Sequence, residues 1–249
     1  MSQLDDLERA AAQHWQAPDT EPLGEWLLRA AQGFTGRANS ALPVGDPGVP
    51  LPEAVAAVTD WYWRRRLPAM IVVPLPLAGA RSHQLDNYLA ERSWLTRSGP
   101  ALVMTAAIAD IPPAPDPGIQ LDPEPDADWL ARYRYRGQEL PPIARTLLLS
   151  APWQAFASLR PDPGRAVAVG RVSVAGRWGA ITAVEVDAAC RRRGLGAAIT
   201  SALAGAAARR GADHVLLQVE MGNAAARALY TRCGFRDSHR YHYRIAPAA

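Results

Sequence analysis

Apolar residues recur along this chain with two periods, and the switches between them outline the fold. Leu4, Leu7, Ala11 and Trp15 fall at helical spacing and predict an amphipathic helix over 2–17. Ser2 and Asp5 stand where a capping pair would start it. Residues 24–31 read as a strand, followed by a polar turn over 33–40 and a turn-rich stretch over 43–52. A helix is expected over 52–66, with proline near its start and Val55, Val58 and Trp61 or Tyr62 along one face. Then follow a buried strand (68–76), a helix (82–94) and a strand (101–108).

The run from Ile111 to Gly118 carries four prolines and reads as a semi-rigid spacer. Beyond it the pattern predicts a strand at 118–121, helices at 127–135 and 141–149, and strands at 154–159, 166–174 and 178–186. Pro161–Gly164 and Ala175-Gly176 supply turn chemistry between them. A helix at 194–210, a strand at 215–220, a helix at 223–232 and a strand at 241–245 complete the order. Helices and strands alternate in both halves, which predicts an α/β (α+β) chain of two domains, 1–116 and 117–249.

Composition narrows the chemistry. At 249 residues, 49% hydrophobic and 20% charged, the chain has globular composition. The net charge of +3 falls short of a nucleic-acid-binding stripe, and no apolar run approaches the ~20 residues of a membrane span. The N-terminus is acidic and helical in pattern, unlike a signal peptide. All 27 basic residues are arginine, which excludes a catalytic lysine, a Schiff base and a Walker-type phosphate loop. Two cysteines, Cys190 and Cys233, are too few for a disulfide scaffold and are expected as reduced thiols in a cytoplasmic protein.

Two segments carry chemistry. Arg191-Arg192-Arg193-Gly194-Leu195-Gly196 links a predicted strand to a predicted helix. A glycine-rich turn at a helix start leaves backbone N–H groups unpaired at the positive end of the dipole, a natural seat for phosphate. Arginines add forked donors that suit phosphate oxygens. A dinucleotide fingerprint would need a third glycine at position 199, where isoleucine stands. The second segment runs from Asn223, a good helix N-cap, through Ala226, Leu229 and Tyr230 on one helix face, to Cys233-Gly234-Phe235 at its stop. Each alone also fits an ordinary turn or capped helix.

Together, in this order, the two segments resemble the GNAT superfamily of N-acetyltransferases. Its pyrophosphate motif, Gln/Arg-x-x-Gly-x-Gly/Ala, is matched by Arg191, Gly194 and Gly196. Its later motif, Asn-x-x-Ala-x-x-Leu-Tyr-x-x-x-Gly-Phe, is matched by Asn223, Ala226, Leu229, Tyr230, Gly234 and Phe235. Ala188 stands where many members carry proline. The chain is similar to two-half actinobacterial GNAT proteins, with a degenerate first half that lacks the arginine–glycine turn.

The resemblance implies a mostly antiparallel central sheet flanked by helices, with one parallel strand pair splayed at its C-terminal ends. It implies acetyl-CoA as co-substrate, no metal, and direct transfer to a primary amine. Pantetheine would bond to the backbone of Val184, Glu185 and Val186. The diphosphate would sit on the bend formed by Arg191, Arg192, Arg193, Gly194, Leu195, Gly196 and Ala197. Asn223 would bond the coenzyme arm or order water, and Tyr230 would be the acid for the leaving thiolate. Glu185, Asp187 and Glu220 are candidate proton acceptors by their place beside the motifs. An acyl-CoA-binding protein without turnover is the alternative, and a homodimer stays open. His239 and His242 with Cys233 match no standard metal spacing and are expected on the outer face of a strand. Residues 35–40 around Asn39 read as a hydrogen-bonded turn, and Trp61, Tyr62 and Trp63 as packing aromatics.

Overall fold

A computed structural model describes residues 3–77, 83–134, 137–162 and 165–247. The capping position at Ser2, the expected helical residue Tyr135 and the turn residues Pro163 and Gly164 lie outside the described residues. In chain order the elements are α1 (Gln3–Ala12), β1 (Asp19–Leu23), β2 (Trp26–Ala30), α2 (Leu51–Arg64), β3 (Met70–Pro76), α3 (His83–Glu91), β4 (Leu95–Thr96), β5 (Ala101–Ala107), β6 (Gln120–Asp122), α4 (Ala127–Arg132), α5 (Ile143–Leu148), β7 (Trp153–Leu159), β8 (Ala168–Ala175), β9 (Trp178–Val186), α6 (Leu195–Arg209), β10 (His214–Glu220), α7 (Ala224–Arg232) and β11 (Arg236–Ile245).

The chain forms two compact units. One comprises Met1–Val103, Glu220–Gly222 and Ser238–Ala249, and the other Met104–Val219 and Asn223–Asp237. These units are defined by contact, whereas the expected halves 1–116 and 117–249 rest on the order of elements and the proline-rich run between them.

In the first unit, α2 buries Ala54, Val55, Val58, Trp61 and Tyr62, the stripe its helical period predicts. That stripe packs with Trp26, Leu28 and Ala30 of β2 and with Ile71 and Val73 of β3. The Tyr62 hydroxyl donates to the Arg29 carbonyl at 2.7 Å. Trp63 does not join the packing: it is 72% exposed, because it falls one residue past the buried stripe. Asn39 builds the expected turn. Its Oδ1 accepts from the amides of Ala31 and Gly33 at 2.8 Å each, and its Nδ2 donates to the carbonyls of Phe34 and Thr35.

The last strand completes this unit. β11 pairs antiparallel with β3 from His239↔Pro76 to Ile245↔Met70. The expectation of histidines on an outer face fails at His239, which is 1% exposed. Its Nε2 meets Glu8 Oε1 of α1 at 2.6 Å, so a charged partner accompanies it into the interior. His242 meets Asp86 Oδ1 at 2.8 Å, and Arg244 Nε donates to the same oxygen at 2.7 Å.

The second unit is a mixed sheet in the order β10-β9-β8-β7-β6. β6, β7, β8 and β9 pair antiparallel, whereas β9 and β10 run parallel. α6 packs on this sheet through Ile199 and Leu203. A Cβ on Gly170 of β8 would lie 2.7 and 2.8 Å from their side chains, so this residue must be glycine for the helix to seat. Trp129 of α4 is buried edge-on to Phe156 of β7, and its indole N–H donates to the Ala157 carbonyl at 3.0 Å.

Candidate active site

The parallel ladder between β9 and β10 is short. It covers His214↔Trp178, Val215↔Gly179 and Leu216↔Ala180. Past Ala180, β9 follows β8 instead. A bulge drives the turn: Val169 pairs with Glu185 and Arg171 with Thr182, so Ala183 and Val184 together oppose the single residue Gly170. Ala183 adopts φ +55°, a conformation an alanine takes at some cost. A bulge bends its strand and increases the local twist. Beyond it, Ala168↔Val186 and the Asp187 amide bonded to the Val167 carbonyl at 2.8 Å hold the strand end to β8. The two parallel strands therefore splay, and Val184, Glu185 and Val186 are half-buried where Gly179–Ile181 are fully buried.

Asp187 anchors the connection from β9 to α6. Its Oδ1 accepts from the Ala189 amide at 3.0 Å, capping a short 3-10 turn over Ala188–Cys190. Its Oδ2 pairs with Arg132 at 2.7 Å and Arg165 at 3.4 Å. The amide bond, helped by the two guanidiniums, holds this carboxyl below the usual carboxylate range.

The arginine–glycine bend follows. Arg191 folds back, its Nε donating to the Val186 carbonyl at 3.3 Å. Arg192 takes φ +65° and Gly194 φ +79°, which turns the chain sharply before α6. The first intrahelical bond runs from the Ala198 amide to the Gly194 carbonyl, at 3.0 Å. The amides of Leu195, Gly196 and Ala197 thus precede the helix ladder, at its positive end. Residues 191–194 are exposed, and Arg191, Arg192 and Arg193 form no ion pair among the described residues. Amides ahead of the helix ladder, exposed guanidiniums and a dipole end are features that suit an anion.

The two glycines differ in purpose. Gly194 supplies the positive φ, with open space around its Cα. Gly196 supplies room for a neighbour: a Cβ there would lie 2.8 Å from Leu229 Cδ2 of α7. Asn223 begins α7, its Oδ1 accepting from the Ala226 amide at 3.0 Å. At the other end, Gly234 has φ +89° and approaches the Asp110 carbonyl so closely that a Cβ would sit 2.7 Å from it. Tyr230 is buried at 9% exposure, edge-on to Phe235 with ring centroids 5.8 Å apart. Burial pushes its phenol well above the usual tyrosine range, so it stays protonated at any working pH.

The candidate proton acceptors differ in setting. Asp187 is engaged as described. Glu220 is exposed at the end of β10. Glu185 Oε2 accepts from the Arg134 amide at 3.2 Å. Arg134, with Leu130, Tyr133, Glu139 and Leu140, lines a cavity of about 510 Å³ between α4 and α5. Sequence reasoning missed the bulge, because alanine at 183 carries no signal for positive φ. It also missed Gly170, whose requirement depends on which helix lies above it.

With this geometry in view, a family model described as "Probable histone acetyltransferase Rv0428c C-terminal" matches residues 1–244. The chain belongs to this family of GNAT acetyltransferases. Among its GNAT relatives, the "Uncharacterized N-acetyltransferase YobR" of Bacillus subtilis is 27% identical, covering 98% of this chain and 99% of that protein. The "Probable histone acetyltransferase Rv0428c" of Mycobacterium tuberculosis is 30% identical, covering 97% of this chain and 73% of that protein. The GNAT fold is seen in the GCN5-related N-acetyltransferase from Kribbella flavida, at TM-score 0.70 and 18% identity over 100% of this chain and 97% of that one. It recurs in a tandem GNAT protein from the clavulanic acid biosynthesis pathway, at TM-score 0.62 and 14% identity over 100% and 89%. This GNAT chain is an N-acetyltransferase, and acetyl-CoA is the general co-substrate of its fold. Among the described residues no group of three or more histidines, cysteines or acidic residues clusters as a metal site. No helix among them is long and apolar enough to cross a membrane.

Proposed function

We propose that the half spanning 117–249 transfers an acetyl group from acetyl-CoA to a primary amine by direct attack. One observation carries this reading: β9 and β10 splay immediately before a bend of exposed amides and arginines. A coenzyme's pantetheine would lie along Val184–Val186 as an added strand, and its diphosphate would take the amides of 192–197.

The amine approaches from the cavity between α4 and α5. A lysine-like amine is neutral only to about one part in 10³ at pH 7, so attack needs a proton acceptor. Glu185, bonded to cavity-lining Arg134, takes that proton through water and passes it to solvent, then takes the second N–H proton as the attacking nitrogen becomes the amide. The nitrogen lone pair forms the C–N bond, and the carbonyl oxygen becomes an oxyanion held by a β9 backbone amide. The C–S bond then breaks, and sulfur keeps its electron pair. Tyr230, a phenol and so protonated at neutral pH, donates a hydrogen bond and then a proton to that sulfur, and solvent restores the phenol. Asn223 keeps Nδ2 for the coenzyme arm while Oδ1 caps α7. The free thiols Cys190 and Cys233 fit a cytoplasmic setting.

The test follows thiol release and product mass for acetyl-CoA with small primary amines and with a histone-tail peptide. A product heavier by one acetyl group, formed in step with free CoA, supports the reading. Tight acetyl-CoA binding with no transfer to any amine would support the non-catalytic alternative instead.

A further inference from the structure

The first unit contains a cavity of about 580 Å³ that the transfer reading does not use, a size typical of small-molecule sites. Its floor is the β1–β2 hairpin. The register sets Thr20 opposite Arg29 and Pro22 opposite Leu27. Alternation along both strands puts these four on one face, and all four line the cavity. The opposite face of β2, with Trp26, Leu28 and Ala30, is in the core. Leu42 and Val44 form one wall, and Arg9 with Ala12 of α1 another.

Arg29 is the unusual lining residue. It is 6% exposed, yet its guanidinium donates only to neutral groups, from Nε to the Ser40 carbonyl at 2.9 Å and from Nη2 to the Ser40 hydroxyl at 3.1 Å. It forms no ion pair among the described residues, and desolvation works against its charge. Arg9 adds a second cation. Its Nη2 reaches Glu25 Oε1 at 3.2 Å and the Val44 carbonyl at 3.3 Å, while its Nε is buried with no hydrogen-bond partner. Glu25 is the one carboxylate in the lining, and its second oxygen already accepts from the Asp46 amide at 2.7 Å. Within the lining two guanidiniums face one engaged carboxylate, an excess of one positive charge. Glu8 also acts on Arg29 from outside the lining, where it is bonded to His239. Leu27, Leu42 and Val44 supply apolar wall.

We propose that this cavity binds a small organic monocarboxylate, its carboxylate held by Arg29 and Arg9 and its hydrocarbon part laid against Leu27, Leu42 and Val44. A single excess charge favours a monoanion over the phosphate dianion. The apolar walls favour an alkyl or aryl carboxylate over acetate or formate.

Calorimetric titration of the full chain with hexanoate, hexanamide and inorganic phosphate tests this. Hexanoate is expected to bind saturably, hexanamide at least about tenfold more weakly, and phosphate more weakly than hexanoate. Arg29→Gln also removes the bonds to Ser40, so the deciding variant is Arg9→Gln, at a side chain 35% exposed. With its melting transition preserved, Arg9→Gln should weaken hexanoate about tenfold and leave hexanamide unchanged. Absence of saturable hexanoate binding, equal affinity for the amide, tighter binding of phosphate, or unaltered affinity in folded Arg9→Gln would each overturn the proposal.

Discussion

Gly196 and Leu229 approach so closely that a methyl group on the glycine would lie 2.8 Å from Leu229 Cδ2. This contact sets the first turn of α6, where the 191–194 bend ends, against the turn of α7 that carries Tyr230. The second glycine of the motif therefore leaves room for Leu229 of α7, whatever it also offers a diphosphate. Gly196→Ala should be nearly neutral, since Leu229 can rotate its end away and alanine favours the helix by about 1 kcal/mol. Gly196→Val should destabilise by about 1–3 kcal/mol and weaken coenzyme binding. Denaturant unfolding and coenzyme titration of both variants measure this; equal effects of the two would contradict the packing role.

Tyr230→Phe keeps the buried ring and its edge contact with Phe235 while removing the hydroxyl proposed as the acid. Maximal turnover should fall by about 10²-fold or more, with the coenzyme dissociation constant unchanged. Undiminished kcat would remove Tyr230 from the proton transfer to sulfur.

Alkaline pH should destabilise the protein. Burial raises the phenols of Tyr62, Tyr230 and Tyr241 above the ordinary value of 10.0. In the unfolded chain these groups release their protons near pH 10, whereas the native chain retains them. The unfolded state then binds fewer protons, so stability is intact below about pH 10 and falls as pH rises beyond it. Ultraviolet titration should show at least three of the seven tyrosines ionising only together with unfolding. Early, independent ionisation of all seven would refute this.

Asp187 joins a capped turn to two arginines directly ahead of the coenzyme bend. On the reading proposed above, with Asp187 engaged by the Ala189 amide and two arginines, Asp187→Ala should raise the coenzyme dissociation constant while leaving kcat at saturation close to normal. Its carboxyl lies below the usual range, so this support persists under mild acid and is lost only as pH falls through that lowered value. A matching fall in kcat with unchanged affinity would instead make Asp187 a proton acceptor.

Much of the site could be read from the residue pattern, because its parts are local. The bounds of β9, the turn at 191–194 and the Asn223 cap each depend on neighbours within a few positions. What escaped depends on distant partners. β1 carries Asp, Glu and Pro and forms only because β2 pairs with it. β11 begins at Arg236, five residues before the expected start, since its polar first half is drawn into a strand and β3 pairs it from His239 onward. The bulge at Ala183 follows from how β8 and β9 align, and no residue type announces it. His239 reads as a surface residue until Glu8, far away in the chain, meets it.

The account rests on coenzyme diphosphate bound by main-chain amides of the bend. The most direct measurement is the 15N–1H spectrum of glycine-labelled protein titrated with CoA. Large, saturating shifts of the Gly194 and Gly196 amides, with Gly176 and Gly211 unmoved, are the predicted result. Saturation by CoA with Gly194 and Gly196 unshifted would contradict it.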